Sequence, residues 1–223
     1  VTVPQGLTLT ISPGTTVEFP AELDDQSSGA DISRSELVVQ GSLAAIGTIS
    51  APITFTSSAL IPAKNDWVGI RVLGRGTANL EYATIEYAAN GIDYSLNSGM
   101  GDMSVTNCLI RQLSGIGIKT TVSNTNTVFN GTFIGNEITA TNGNGMYFYT
   151  HTNGRSELEI SGNSIHNVSD YGLHIYGNNY AQTNAKIKNN ELYSTSTGLY
   201  LYNLTYARST ELNIADNRIH DNA

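Results

Sequence analysis

Two glutamates and one histidine are the side chains of this sequence whose spacing could serve chemistry. Glu157 and Glu211 lie 54 residues apart, twice 27, with Asn184 midway. If about 27 residues return the chain to the same place in the fold, the two carboxylates stand in one column. A carboxylate pair is what glycosidic hydrolysis needs, one group as acid and the other as base. Two turns at ~4.8 Å each put them about 9.6 Å apart, the upper edge for an inverting pair. His174 lies 27 residues after Tyr147 and 26 before Tyr200, with Lys119 further upstream. A histidine near a lysine could act as base and charge neutraliser in eliminative cleavage of an acidic sugar chain. No arginine and no Asp/Glu cluster for calcium accompanies them on that face. Glu159 beside Lys186 and Glu191 beside Arg218 read as surface ion pairs. His174, Glu157 and Glu211 are therefore catalytic candidates only, and the chain leans away from being an enzyme.

The same spacing gathers aromatic rings. In three successive units a glycine precedes an alternating run: Gly145-Met146, Gly172-Leu173 and Gly198-Leu199. Met146/Phe148, Leu173/Ile175 and Leu199/Leu201 would point inward. The outward residues are then Tyr147/Tyr149, His174/Tyr176 and Tyr200/Tyr202, in two parallel columns. Tyr180 and Tyr206 follow the second column, with Asn153 in the matching slot. Upstream, the expected occupants are Asp93/Ser95 and Gly117/Lys119. A sugar ring packs its C–H face on an aromatic ring, and tyrosine adds a hydroxyl. Tyr147, Tyr149, His174, Tyr176, Tyr200 and Tyr202 are thus expected to bind polysaccharide. Such a ladder can also serve only to stabilise a sheet.

A repeat must position these columns. The anchors Ile85, Ile110, Ile138, Ile165, Leu192 and Ile219 are 25, 28, 27, 27 and 27 residues apart. Five residues before each stands another apolar anchor: Leu80, Val105, Phe133, Ile160, Ile187, Ile214. Two residues before the late anchors stand Asn136, Asn163, Asn190 and Asn217; Ala83 and Cys108 fill that slot earlier. After the anchors, Gly91-Ile92 and Gly115-Ile116 continue the glycine series. A fixed period of this size means a solenoid. Within a unit the apolar residues alternate over short runs, as strands do, and no long window has helical spacing. The fold class is therefore all-β, a right-handed parallel β-helix of about eight coils with three short strands each. The asparagines suit a left-handed bend and a hydrogen-bonded ladder along the axis. Cys108 would fill space inside, Trp67 would pack at a core edge, and Gly172 would permit a turn.

The N-terminal third shows the same grammar with looser spacing. Its "VTVPQGLTLTISPGTTVEF", "LVVQGSLAAIGT", "PITFTSS" and "DWVGIRV" resemble the opening of bacterial right-handed parallel β-helix proteins, a group similar to the pectate-lyase-like superfamily. The resemblance covers nearly the whole chain. It implies the fold and a surface or secreted origin. It leaves lyases, glycosidases, epimerases, adhesins and passive stalks open as functions. No acidic triad of the catalytic members is found, and "YGLH" (Tyr171 to His174) is only superficially like an epimerase motif.

Composition bounds the partners. Charged residues make up 13% and the net charge is −8, which argues against a nucleic-acid groove. No apolar run approaches the ~18 residues of a membrane span. One cysteine allows no internal disulfide. Asp24, Asp25 and Asp31 could hold calcium, but a solvated acidic loop is the simpler reading, and no metal or cofactor is expected. Sequons at Asn130, Asn167 and Asn203 arise readily by chance here. The domain is expected to run over 1–223, with 20–35 looped out. Its last coil is expected to be incomplete, as in a piece of a longer surface protein, or to be covered by a partner. The expected role is non-catalytic polysaccharide binding outside the cell or at its surface. A polysaccharide lyase or hydrolase domain and a structural stalk or adhesin segment are the alternatives.

Overall fold

The computed structural model describes residues 1–21, 23–24, 27, 29–204 and 211–223. The strands form three sheets of eight, and every pairing within them is parallel. Each turn contributes one strand to sheet A, then B, then C, in right-handed sense. The first turn comprises Thr2–Val3, Thr8–Ile11 and Thr16–Phe19; the last comprises Thr197–Tyr202, Leu212–Ala215 and Arg218–His220. No described residue is in an α-helix. Among the described residues there is thus no helix long and apolar enough to cross a membrane.

The expected eight coils are present, and about six of them keep the period of roughly 27 residues. The two N-terminal turns are longer: Thr2 stands opposite Val38, and Val38 opposite Arg71. The extra residues sit at the corners. Among the described residues between Phe19 and Leu37 there is no strand. The buried carboxylate of Glu36 ties that segment down, accepting from the Ala30 N–H at 3.1 Å and pairing with Arg71 at 3.1 Å.

The core is one column of inward side chains. Ile110, Ile138, Ile165 and Leu192 stack on sheet C, and Val105, Phe133, Ile160 and Ile187 on sheet B, all fully buried. Trp67 lies inside this core, not at its edge. It is fully buried and stacked on Phe19, with centroids 4.0 Å apart and planes 2° from parallel. Its indole N–H donates to the Glu86 carbonyl at 2.9 Å, so the polar atom needs no solvent. Cys108 is buried in the asparagine slot, where desolvation pushes its thiol up to about 12.

The asparagine ladder runs where sheet B turns into sheet C. The amides of Asn136, Asn163 and Asn190 each donate to the next Oδ1, at 2.9, 2.8 and 2.9 Å, ending on Asn217. Each Oδ1 also receives the preceding coil's backbone N–H, and each amide also reaches a sheet B carbonyl. The left-handed bend does not fall on these asparagines, as their composition suggested. It falls one residue earlier, on Asn107, Gly135, Gly162, Asn189 and Asp216. The ladder residue keeps ordinary backbone angles, which leave its side chain directed inward.

The glycine series serves close approach and not a turn. Gly172 lies within the strand Tyr171–Gly177. A Cβ on Gly145 would sit 2.6 Å from the Gly172 carbonyl oxygen, and one on Gly172 would sit 2.7 Å from that of Gly198. The member of this series in the preceding coil is Gly117, not Gly115, because Ile118 stands opposite Met146.

Candidate functional site

Sheet A carries the aromatic face. Alternation along its strands buries Met146, Phe148, Leu173 and Ile175 and turns the intervening residues outward. Register then fixes the columns. One runs Arg71, Asp93, Lys119, Tyr147, His174, Tyr200; its neighbour runs Leu73, Ser95, Thr121, Tyr149, Tyr176, Tyr202. The six predicted rings stand together. Asp93 and Ser95 stand where expected, but the occupants of the coil between are Lys119 and Thr121, shifted by two residues from the expected Gly117 and Lys119, so Lys119 abuts Tyr147 and Thr121 abuts Tyr149. The slip follows from the choice of Gly115 in place of Gly117.

Ring geometry decides what this face can offer. Tyr149 and Tyr176 are stacked at 4.8 Å and 11°. Parallel rings this close must overlap face to face, because side by side in one plane they would clash. Tyr176 meets Tyr202 at 5.3 Å and 45°, and Tyr147 lies beside Tyr149 at 6.3 Å and 13°. Ring faces within the columns are therefore largely covered by their neighbours. Hydroxyls and ring edges remain for solvent, along with half-exposed Tyr202 and, on the turn after the Tyr171–Gly177 strand, Tyr180 at 65% exposure. Tyr206 lies outside the described residues.

His174 occupies the middle of the grid. Its ring touches Tyr147 at 4.8 Å, Tyr171 at 4.8 Å and Tyr200 at 5.0 Å, tilted to all three. Both ring nitrogens are buried without a hydrogen-bond partner. Desolvation holds its pKa below the ordinary imidazole value, against an opposing pull from Asp170. Burial likewise raises the Tyr147 phenol, helped by Tyr149 and Tyr176. A general base must reach a substrate proton, and the rings around His174 close that path. Lys119 is engaged by Asp93 at 3.2 Å.

Tyr171 belongs to this face and was not among the predicted residues. It stacks on Tyr200 at 4.7 Å and 12°. Alternation gives it the parity of inward Leu173, so the periodic signal could not find it. A second aromatic column stands on sheet C, with His166, Tyr193 and His220 stacked at 4.7 and 5.2 Å. Glu137 approaches His166 at 3.3 Å, and Glu191 approaches His220 at 3.1 Å. The period of 27 was enough to locate it, but only one of its three rings is a tyrosine.

The glutamate candidates lie elsewhere. Glu157, Asn184 and Glu211 share a column on the outer face of sheet B, lining a groove of about 880 Å³ together with Thr132, Glu159 and Lys186. Glu157 is engaged by Arg155 at 2.5 Å and by the Asn184 amide at 2.9 Å, and Asn184 accepts the Glu211 N–H at 3.0 Å. His174 and the glutamate pair therefore occupy different sheets and form no common site. Glu191 and Arg218 do pair, at 2.8 Å. Glu159 and Lys186 stand opposite in register, yet no ion pair joins them among the described residues.

Among the described residues no group of three or more His, Cys, Asp or Glu side chains is placed to hold a metal ion. Asp31 is taken up by Ser33 and Arg34, whose hydrogen bonds hold its carboxyl down to about 2. Asp25 lies outside the described residues.

Two family models match the chain. A pectate-lyase-like β-helix domain covers residues 1–102, and a right-handed β-helix region covers residues 53–219. No curated protein and no solved structure matches it. The second model spans most of the sequence and its strand pattern is the one seen here, so the chain belongs to the right-handed β-helix family.

Proposed function

We propose that this β-helix binds a polysaccharide without cleaving it, through the Tyr/His face of sheet A, outside the cell or at its surface. The observation that carries the reading is the in-register block of Tyr147, Tyr149, His174, Tyr176, Tyr200 and Tyr202 across three successive turns. Those turns span about 9.6 Å along the axis, the scale of a short run of sugar units. The contact differs from a flat stacking platform. Phenol hydroxyls and ring edges meet the polysaccharide along the columns, and the more exposed rings of Tyr202 and Tyr180 pack on sugar rings. Catalysis is disfavoured by the buried nitrogens of His174 and by the partners already held by Glu157.

Binding of a panel of soluble polysaccharides tests the reading. Tyr176→Ala and Tyr202→Ala are each expected to weaken binding about tenfold, roughly 1.4 kcal/mol. No affinity for any glycan, or affinity indifferent to both substitutions, would overturn it. The mutual stacking of the rings favours a second reading, a structural stalk whose ladder only stabilises the sheet. A stalk would lose melting temperature in both variants and bind nothing. Release of unsaturated or newly reducing sugar ends would instead identify a lyase or hydrolase domain.

A further inference from the structure

His174 is the one residue of the aromatic face whose chemistry the binding role does not use. A neutral imidazole carries one N–H and one acceptor nitrogen. In His174 both nitrogens are shut away from solvent, and neither has a partner. Three rings, tilted 45°, 59° and 62° to the imidazole, stand within 5.0 Å of it and wall it with aromatic surface. That arrangement tolerates a neutral ring. An imidazolium has two N–H donors and a full charge, and the cage provides no oxygen for either.

We propose that His174 is a proton switch for the aromatic face, which is assembled while the imidazole is neutral and opens when it takes up a proton. The proposal rests on the reading of this face as a glycan site and names its regulation. The step is simple: one solvent proton binds the ring's lone pair, and the cation then turns out of the cage to reach water or a carboxylate. Because His174 separates Tyr147 from Tyr200, its departure breaks the first column.

The groups facing it define the alternatives. On its own strand and lead-in these are Asp170, Tyr171 and Tyr176; on the preceding strand, Tyr147, Tyr149 and His151; on the following strand, Tyr200 and Tyr202. One turn further, Lys119 is neutralised by Asp93. Asp170 is the carboxylate that draws the cation, without a hydrogen bond to it in the closed cage. His151 also prefers its neutral form because it is desolvated, but it lies at the grid's edge with Nδ1 on the Thr152 hydroxyl at 2.8 Å. Its protonation needs no cage to open.

The sign follows from the depressed value. With the folded pKa below the ordinary 6.5, the face is complete above 6.5 and is lost as pH falls through the folded pKa. Proton-detected titration of the glycan-free protein from about pH 8 to about 4.5 tests this directly. His174 is expected to titrate below 6.5, with the Tyr147 and Tyr200 ring resonances moving at the same midpoint. In His174→Phe those two tyrosines should hold still over the same range. A His174 midpoint at or above 6.5, as a cation–π cage would produce, or tyrosines that ignore the titration, would overturn the switch. Glycan affinity should then fall by up to about tenfold per pH unit below the midpoint in the parent chain and stay flat in His174→Phe. A chain that binds no glycan defeats the binding reading alone, because the titration still decides the switch.

Discussion

A single asparagine in the ladder carries more of the fold than any tyrosine on the surface. Asn163 donates to the Phe133 carbonyl at 2.9 Å and to Asn190 at 2.8 Å, and it accepts both the backbone and side-chain N–H groups of Asn136 at 2.9 Å. It is fully buried, so no water replaces these bonds. Asn163→Ala would orphan a backbone donor and a backbone acceptor together, and it is expected to cost about 3 kcal/mol. Asn217 closes the ladder at a partly exposed end, and its donors reach the Ile187 and Ala215 carbonyls. Asn217→Ala should cost about 1 kcal/mol, since water reaches the groups it leaves. Urea unfolding of the two variants measures the difference. Equal losses would mean that burial along the ladder does not set its value.

At the scale of the element, the glycines at the start of the sheet A strands set how closely the coils approach. A Cβ on Gly145 would lie 2.3 Å from Ile165 Cγ2 and 2.6 Å from the Gly172 carbonyl oxygen. The second contact is backbone against backbone and cannot be relieved by a rotamer change. Gly145→Ala is expected to destabilise by about 2–3 kcal/mol. It should also disturb the register of Met146–His151 against Tyr171–Gly177, and with it the Tyr147–His174 contact. A thermal melt with aromatic circular dichroism reads both effects at once. An unchanged melt would show that the coils can part without cost at this corner.

Over the whole molecule, stability should follow position along the stack. Each coil buries its inward residues against the coils before and after it, so neighbours and not distant contacts sustain the core. Ile187 is fully buried between two turns, whereas Ile214, next in the same column, is 44% exposed at the last strand of sheet B. Ile187→Ala is expected to cost about 3–4 kcal/mol and Ile214→Ala less than about 1.5 kcal/mol. Chemical denaturation compares them. Similar losses would indicate that the final turn gains burial from something beyond the described residues. The net charge is −8, and on the sheet faces ion pairs such as Arg111–Glu86 at 2.8 Å and Arg218–Glu191 at 2.8 Å join successive coils.

The period of 27 and the strand alternation within it were enough to determine the parallel β-helix, its core and the columns of outward rings. Both patterns are local and repeat, and register turns repetition along the chain into adjacency in space. The N-terminal turns were less legible because both are longer than 27 residues, Thr2 to Val38 and Val38 to Arg71, so the regular period holds for about six of the eight coils. Three things required the tertiary structure. Tyr171 joins the aromatic face against its parity, because Gly172 and Leu173 are both buried and regular alternation starts only after them. The left-handed residue falls one position before each ladder asparagine, a matter of backbone angle that composition cannot assign. The orientation of the rings decided that tyrosine faces cover one another and that His174 has no partner, because side-chain packing depends on three coils at once and not on the spacing within any of them.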